Sequence, residues 1–147
     1  MASSQNKNKS AGKILIQADI SGEILLCPEG LSFWGGVDPE TGTIIDIHHP
    51  CYQQNISGKI LMMPSSRGSC SGSGVLLELC LKNIAPAAII FHEAEEILSL
   101  GALVAARIFN KPIPIIKLQK QHYLILRKSS WATIHGNRLQ TDSFDFE

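Results

Sequence analysis

The stretch KILMMPSSRGSCSGSGVLLELCLKN, residues 59–83, decides the fold. It opens with an apolar run of strand length, which is typical of a strand buried on both faces. Pro64 stops this run, and a Ser/Gly-rich loop from Ser65 to Gly74 leads into an apolar helical segment, Val75 to Leu81. A strand, a loop and a helix in this order predict one unit of a parallel sheet with right-handed crossovers.

The segments on either side extend this unit. Apolar runs predict further strands, and helical spacing predicts one more helix; the strands fall at 13–16, 23–26, 43–47, 87–91 and 113–118, the helix at 93–110. Ser21-Gly22 predicts a turn before strand 23–26, and Pro114 pushes strand 113–118 toward a sheet edge. The result is a parallel core with strands on both flanks.

The last part of the chain predicts antiparallel structure. Residues 123–126 and 132–134 alternate weakly, and His135-Gly136-Asn137 is a turn signal that closes a hairpin. The flanking hairpins require a second, antiparallel sheet beside the parallel one. The fold class predicted from the pattern is therefore α/β.

Composition limits the classes of protein. The 147 residues are 44% hydrophobic and 18% charged, with thirteen basic and thirteen acidic side chains. Such a chain buries one core, lacks the basic surface that wraps nucleic acid, and has no apolar run long enough to span a membrane. Residues 1–11 predict a mobile tail without a secretory signal, and residues 12–147 a single domain. The four cysteines lack C-x-x-C spacing, which favours a reduced, cytoplasmic compartment over a zinc or disulfide site.

The loop between the strand and the helix is the strongest candidate site. A Ser/Gly-rich loop that enters a helix N-terminus directs backbone N–H groups and the positive end of a helix dipole at one point. Such a place binds carboxylate or phosphate, and it favours ionisation of a hydroxyl or thiol. The alternative is that Ser71 or Ser73 merely caps the helix. The loop is neither a phosphate-binding P-loop, since it lacks Gly-Lys-Ser/Thr, nor a nucleophile elbow.

Three weaker features accompany this loop. Phe33-Trp34-Gly35-Gly36 predicts either a backbone that approaches a ligand closely or an apolar plug over the end of a sheet. His48-His49 beside Pro50 is a candidate metal or general-base site, but adjacent extended residues point to opposite faces, so at most one serves. Acidic residues at 93, 95 and 96 fit the N-terminus of the second helix better than a catalytic pair.

The ordered motifs together resemble the small subunit of the aconitase X group, which is the swivel domain of aconitase-superfamily enzymes. The resemblance runs from about residue 13 to 118, and its motifs are LSFWGGVDPETG (31–42), DIHHP (46–50), RGSCSGS (67–73), APAAII (85–90) and EILSLG (96–101). It implies a swivelling β/β/α domain of three layers, with a parallel central sheet, an antiparallel sheet and flanking helices. It also implies a heterodimer with a large subunit, which would carry an iron or iron–sulfur centre, whereas no metal ligand is expected in this chain.

The resemblance also implies a reaction. Members dehydrate either cis-3-hydroxy-L-proline to a pyrroline-2-carboxylate or mevalonate 5-phosphate, and the Gly-Ser-Cys-Ser-Gly-Ser form looks more like the first branch. The serine that accepts the proton in the family maps onto Ser69. Many relatives read Gly-Arg-Gly where this chain has Ser66-Arg67-Gly68, and a positive φ at Ser66 would be strained. A free-standing, non-catalytic ligand-binding or interaction module remains the alternative class.

The expected substrate contacts surround that serine. We expect Arg67 either to hold the carboxylate of a small hydroxy acid or to stabilise the alkoxide, and the backbone N–H groups of Cys70 and Ser71 to cradle developing charge. The full set of expected substrate-binding residues is Arg67, Gly68, Cys70, Ser71, Gly35, Gly36 and His49.

Overall fold

The computed structural model describes residues 12–141 and 145–146. The strands of this part are β1 (Gly12–Ile16), β2 (Ile20–Leu26), β3 (Ile60–Met62), β4 (Ala88–Phe91), β5 (Ile115–Leu118), β6 (Trp131–His135), β7 (Arg138–Thr141) and β8 (Asp145–Phe146). Its helices are the single turn α1 (Phe33–Gly36), α2 (Gly72–Leu81), α3 (Ile97–Ile108) and α4 (Lys120–Leu126). The predicted tail, residues 1–11, lies outside the described residues.

The strands form one curled sheet in the order β1-β5-β4-β3-β2-β6-β7-β8. Strands β2 to β5 pair in parallel, and β1 lies antiparallel to β5. Strand β2 belongs to both parts, because residues 24–26 pair with β3 while residues 20–23 pair with β6. From β6 to β8 the pairing is antiparallel, and the predicted hairpin at Gly136 joins β6 to β7.

Two apolar clusters cover the two faces of the parallel strands, because neighbouring side chains on a strand point to opposite faces. One face packs against α2 and α3, and its cluster includes Leu61, Ile89, Ile115, Leu79 and Ala102. The other packs against α4 and the antiparallel strands, and its cluster includes Ile60, Ile90, Ile116, Leu126 and Ile134. The chain thus has an antiparallel layer, a parallel layer and a helical layer, which confirms the predicted three-layer β/β/α fold.

Two local predictions about strand position were wrong. Ser21 and Gly22 do not turn the chain; they lie inside β2, where a Cβ on Gly22 would meet the Gly58 carbonyl oxygen at 3.1 Å. Strand β5 is not at an edge, because it lies between β1 and β4. It begins at Ile115, just after Pro114. Pro114 restricts only where β5 begins. Strand β5 becomes an interior strand because β1 pairs with it on the side away from β4.

Two predictions of secondary structure were also wrong. Residues 43–47 form no strand beyond isolated bridges at Thr43 and Ile44, because the Asp46 carboxylate accepts the His48 N–H at 2.9 Å and turns the chain. Residues 123–126 belong to helix α4 rather than to a strand. Tyr123 and Leu126 are three residues apart, and this spacing places both on one helical face against the core.

The cysteines divide between the core and the surface. Cys27, Cys51 and Cys80 are buried and Cys70 is exposed. Burial raises the pKa of the Cys80 thiol to about 11. The Cys51 thiol donates a hydrogen bond of 3.3 Å to the Leu26 carbonyl oxygen. These three thiols therefore act as small core side chains.

Candidate functional site

The loop after β3 leads directly into the first turn of α2. The Gly72 and Ser73 N–H groups donate to the carbonyl oxygens of Ser69 and Cys70, at 3.0 and 3.2 Å. Ser71 makes no side-chain capping bond, and the Ser73 hydroxyl donates to the Cys70 carbonyl oxygen at 2.8 Å. The alternative that the Ser71 or Ser73 side chain caps this helix is therefore wrong, and the first N–H groups of α2 donate to oxygen atoms of the preceding loop instead.

Ser69 lies in this loop, just before the amino end of α2. Its side chain is exposed, and its Oγ accepts the Ser71 N–H at 3.1 Å. The N–H of Cys70 has no hydrogen-bond partner among the residues that the structure describes. An N–H donor and the positive end of the α2 dipole therefore both favour negative charge on the Ser69 oxygen.

A second loop, residues 28–36, packs against this one. The Arg67 N–H donates to the Leu31 carbonyl oxygen at 3.3 Å. Gly68 has a φ of +90°, and a Cβ there would lie 2.3 Å from the Ser32 hydroxyl oxygen. A Cβ on Gly30 would likewise meet the Arg67 side chain at 2.7 Å. The two loops that the sequence marked separately thus form one surface, and both glycines are needed for their close approach.

The aromatic pair splits between core and surface. The Phe33 side chain is fully buried, as an apolar plug would be, whereas Trp34 is 62% exposed. Gly35 has a φ of +80° and open space around it, while Gly36 is buried against Leu31. Gly35 therefore lies on the exposed turn beside the Ser69 loop, and Gly36 lies beneath it.

His49 ties the second loop to a later segment, residues 49–51. Its ring is buried, Nδ1 accepts the Cys51 N–H at 3.0 Å, and Nε2 lies 3.2 Å from the Glu29 carbonyl oxygen. An accepting Nδ1 places the ring proton on Nε2, which then donates to Glu29. Both ring nitrogens are therefore used inside the chain, and they fasten residue 29 to residue 51. The geometry supports a loop-fixing role rather than the substrate contact that the sequence predicted.

A buried glutamate anchors the other side of the Ser69 loop. The Glu95 carboxylate accepts the N–H groups of Leu98 and Ser99 at 2.8 and 2.9 Å, which confirms the helix-terminus interpretation of this residue. It also accepts a hydrogen bond from the Ser66 hydroxyl. Ser66 does not adopt a positive φ, so the strain that its Cβ predicted is absent. Sequence reasoning missed the Ser66–Glu95 contact, because 29 residues separate the partners.

The described residues do not assemble a metal site. Among residues 12–141 and 145–146, no group of three or more His, Cys, Asp or Glu side chains converges closely enough to bind an ion. An iron or iron–sulfur centre therefore does not fit the donors that this part of the chain presents. No helix in the described segments is both long and apolar enough to cross a membrane.

The sequence matches the model of the aconitase X swivel domain over residues 9–141. The chain belongs to the aconitase X swivel domain family. This membership confirms the resemblance that the motifs indicated, and it agrees with the three-layer arrangement of the sheets and helices.

Three relatives of this swivel domain differ in length. A cis-3-hydroxy-L-proline dehydratase of Pseudomonas aeruginosa is 46% identical over 128 residues, which cover 87% of this chain and 22% of that protein. A phosphomevalonate dehydratase small subunit of Pyrococcus abyssi is 42% identical over 113 residues, which cover 77% of this chain and 84% of that subunit. The crystal structure of Thermococcus kodakaraensis aconitase X in its holo-form superposes with a TM-score of 0.66 at 39% identity, over 73% of this chain and 77% of that chain. The chain thus spans 22% of the length of the hydroxyproline dehydratase.

Proposed function

We propose that this swivel domain is part of a dehydratase that converts cis-3-hydroxy-L-proline to a pyrroline-2-carboxylate, with Ser69 as the base. The observation that carries the proposal is the exposed Ser69 hydroxyl at the amino end of α2, where it accepts the Ser71 N–H at 3.1 Å. The relative at 46% identity, a cis-3-hydroxy-L-proline dehydratase, supports this choice of substrate.

The proposed step is the loss of water across two carbons. Ser69 Oγ takes the proton from the carbon next to the carboxylate, the electron pair forms the double bond, and the C–O bond of the hydroxyl breaks. An unperturbed serine is a poor base at neutral pH. The Ser71 N–H and the α2 dipole stabilise the ionised oxygen, and exclusion of water by a closing partner strengthens both effects.

Neighbouring groups of the same loop fit the substrate carboxylate. The Arg67 side chain is exposed and has no ion-pair partner within the described residues, so its guanidinium is available for a bidentate contact. The Cys70 N–H is also open, whereas the Ser71 N–H is already donated to Ser69. The proposal therefore assigns the carboxylate to Arg67 and the Cys70 amide, and it assigns the Ser71 amide to the base.

A larger partner completes the proposed enzyme. The hydroxyproline dehydratase contains a swivel-like region within a much longer protein, and the phosphomevalonate dehydratase relative is named a small subunit. We place the iron or iron–sulfur centre that the resemblance implies on this partner, together with the remaining substrate contacts. No residue of this chain is assigned to the departure of the hydroxyl group.

Mevalonate 5-phosphate is the second candidate substrate. The small subunit from Pyrococcus abyssi aligns over 84% of its own length, so a chain of this size serves there as a separate subunit. The loop at the amino end of α2 also suits this substrate, since a helix N-terminus favours any anionic group.

The experiment pairs this chain with the large aconitase X-type subunit of the same organism. The two chains are co-expressed, loaded with iron, and assayed with cis-3-hydroxy-L-proline and with mevalonate 5-phosphate. Ser69→Ala is expected to lower kcat on the accepted substrate by about 10²–10⁴-fold, because it removes the base. Ser21→Ala, which removes an exposed hydroxyl from β2, is the matched control and should retain full activity.

Each outcome decides between the candidates. If the complex turns over cis-3-hydroxy-L-proline but not mevalonate 5-phosphate, the proposal is supported. If it turns over mevalonate 5-phosphate alone, the same loop acts on that substrate instead. An active Ser69→Ala complex would refute the base. An iron-loaded complex that turns over neither substrate would favour the non-catalytic ligand-binding or interaction module.

A further inference from the structure

We propose that the hydrogen bond between Ser66 and Glu95 positions the Ser69 loop for proton transfer, so that Ser66 and Glu95 are positioning residues of the site. This inference rests on the proposed function of Ser69. It extends the proposed function because it assigns a role to the Glu95 carboxylate at the amino end of helix α3. This carboxylate contacts neither the substrate nor Ser69.

The carboxylate is held rigidly. Glu95 is only 8% exposed, and its two oxygens accept the N–H groups of Leu98 and Ser99. The Ser99 hydroxyl adds a bond of 3.0 Å to Oε2. Hydrogen bonds to an ionised carboxylate are among the stronger ones in proteins, and the N-terminus of α3 favours the negative charge. Glu95 therefore offers a fixed acceptor that does not need to reorganise when the site closes.

Ser66 connects this fixed point to the loop. Its hydroxyl donates to Glu95 Oε1, the same oxygen that accepts the Leu98 N–H. The adjacent residue, Ser65, donates to the Ala94 carbonyl oxygen at 2.9 Å. Two consecutive side chains thus tie the entrance of the loop to residues 94 and 95. Only Arg67 and the Gly68 turn separate this tether from Ser69.

The loop is held from the opposite side as well. The Arg67 N–H donates to the Leu31 carbonyl oxygen, and Gly68 packs on Ser32. The base therefore follows a segment that is clamped between α3 and the second loop. A displacement of about 1 Å in a reacting group costs up to about 10²-fold in rate. Loss of one of these clamps should reduce the rate of proton transfer without removing the substrate-binding groups.

The kinetic test compares two serine-to-alanine variants, of which only one removes a bond to the carboxylate. In the co-expressed complex, Ser66→Ala is expected to lower kcat by about tenfold and to leave KM within about twofold. Ser66→Thr keeps the hydroxyl and should restore most of the rate. Ser21→Ala removes an exposed hydroxyl from β2 and leaves every bond to Glu95 intact, so its kcat should match that of the wild type.

A second readout does not depend on activity. Amide hydrogen exchange of the 147-residue chain should become faster at Ser71 and Gly72 in Ser66→Ala, because both amides donate to Ser69. The control Ser21→Ala should leave both exchange rates unchanged. If the wild-type complex is inactive on both substrates, the proposed function fails and exchange alone still decides whether the link orders the loop. Equal exchange and equal kcat in the two alanine variants would overturn the positioning role.

Discussion

Gly68 shows how one residue fixes the shape of the candidate site. Its φ of +90° is a conformation that L side chains rarely adopt, and the Ser32 hydroxyl occupies the space that a Cβ would need. The Ser32 hydroxyl in turn donates to the Trp34 carbonyl oxygen at 2.9 Å. A side chain at 68 would therefore strain its own backbone and also disturb the neighbouring loop.

Gly68→Ala is expected to lower the free energy of unfolding by about 1–3 kcal/mol. The control is Gly58→Ala, because Gly58 also has a positive φ, +70°, but has no atom within 4 Å of its Cβ position. That variant should lose only about 1 kcal/mol, from backbone strain alone. Urea unfolding measures both. If the two variants lose the same amount, the contact with Ser32 has no energetic weight.

At the scale of elements, the packing of α2 on α3 sets the position of the amino end of α2. Gly101 of α3 lies against the first turn of α2, where a Cβ would meet the Ser73 carbonyl oxygen at 2.7 Å. The atoms it would meet are backbone atoms, so a side chain cannot be accommodated by a change of rotamer. The two helices would have to separate, and the residues around Ser69 would move with α2.

Gly101→Ala is expected to destabilise the chain by about 1–2 kcal/mol, although alanine favours a helix over glycine by about 1 kcal/mol. Gly74→Ala is the matched control in α2, where the Cβ position is open, and it should be neutral or stabilising. Thermal unfolding of the two variants measures the difference. A stabilised Gly101→Ala would show that the helices are not in close contact at this point.

At the scale of the whole molecule, exposed apolar side chains lie beside the candidate site. Trp34 is 62% exposed and Ile47 is 66% exposed, and the Ile45 N–H ties their segments together by donating to the Gly36 carbonyl oxygen at 2.9 Å. Large apolar side chains left in water favour a partner surface. In the proposed enzyme, the larger partner covers these residues when it closes over Ser69.

Ile47→Asp is therefore expected to weaken binding of the larger partner by at least about tenfold, since a charge is costly to bury. Ile108→Asp is the control, because Ile108 is 70% exposed but lies at the far end of α3. Its affinity should match that of the wild type. The dissociation constant of the purified pair measures both, and equal affinities would place the partner on another surface.

Local patterns in the sequence were sufficient for much of this architecture. The apolar runs at 59–63 and 87–91 predict the buried strands β3 and β4, and the glycine and serine composition of residues 65–74 predicts the loop that enters α2. Short-range patterns failed where a distant partner decides the conformation. Gly22 was predicted to lie in a turn, but it lies in β2 in close contact with Gly58. Strand β5 is an interior strand because β1 pairs with it.

By itself, the sequence determined the α/β class through its periodicity, and it determined the family and the loop that carries Ser69 through motifs contiguous in the chain. The three-layer arrangement followed from the family resemblance that those motifs carry. Only the tertiary structure decided how that loop is held. Ser66 meets Glu95 across 29 residues, and Gly68 meets Ser32 across 36. Contacts over such separations depend on how the sheet brings strand ends and helix ends together, and no local pattern specifies that arrangement.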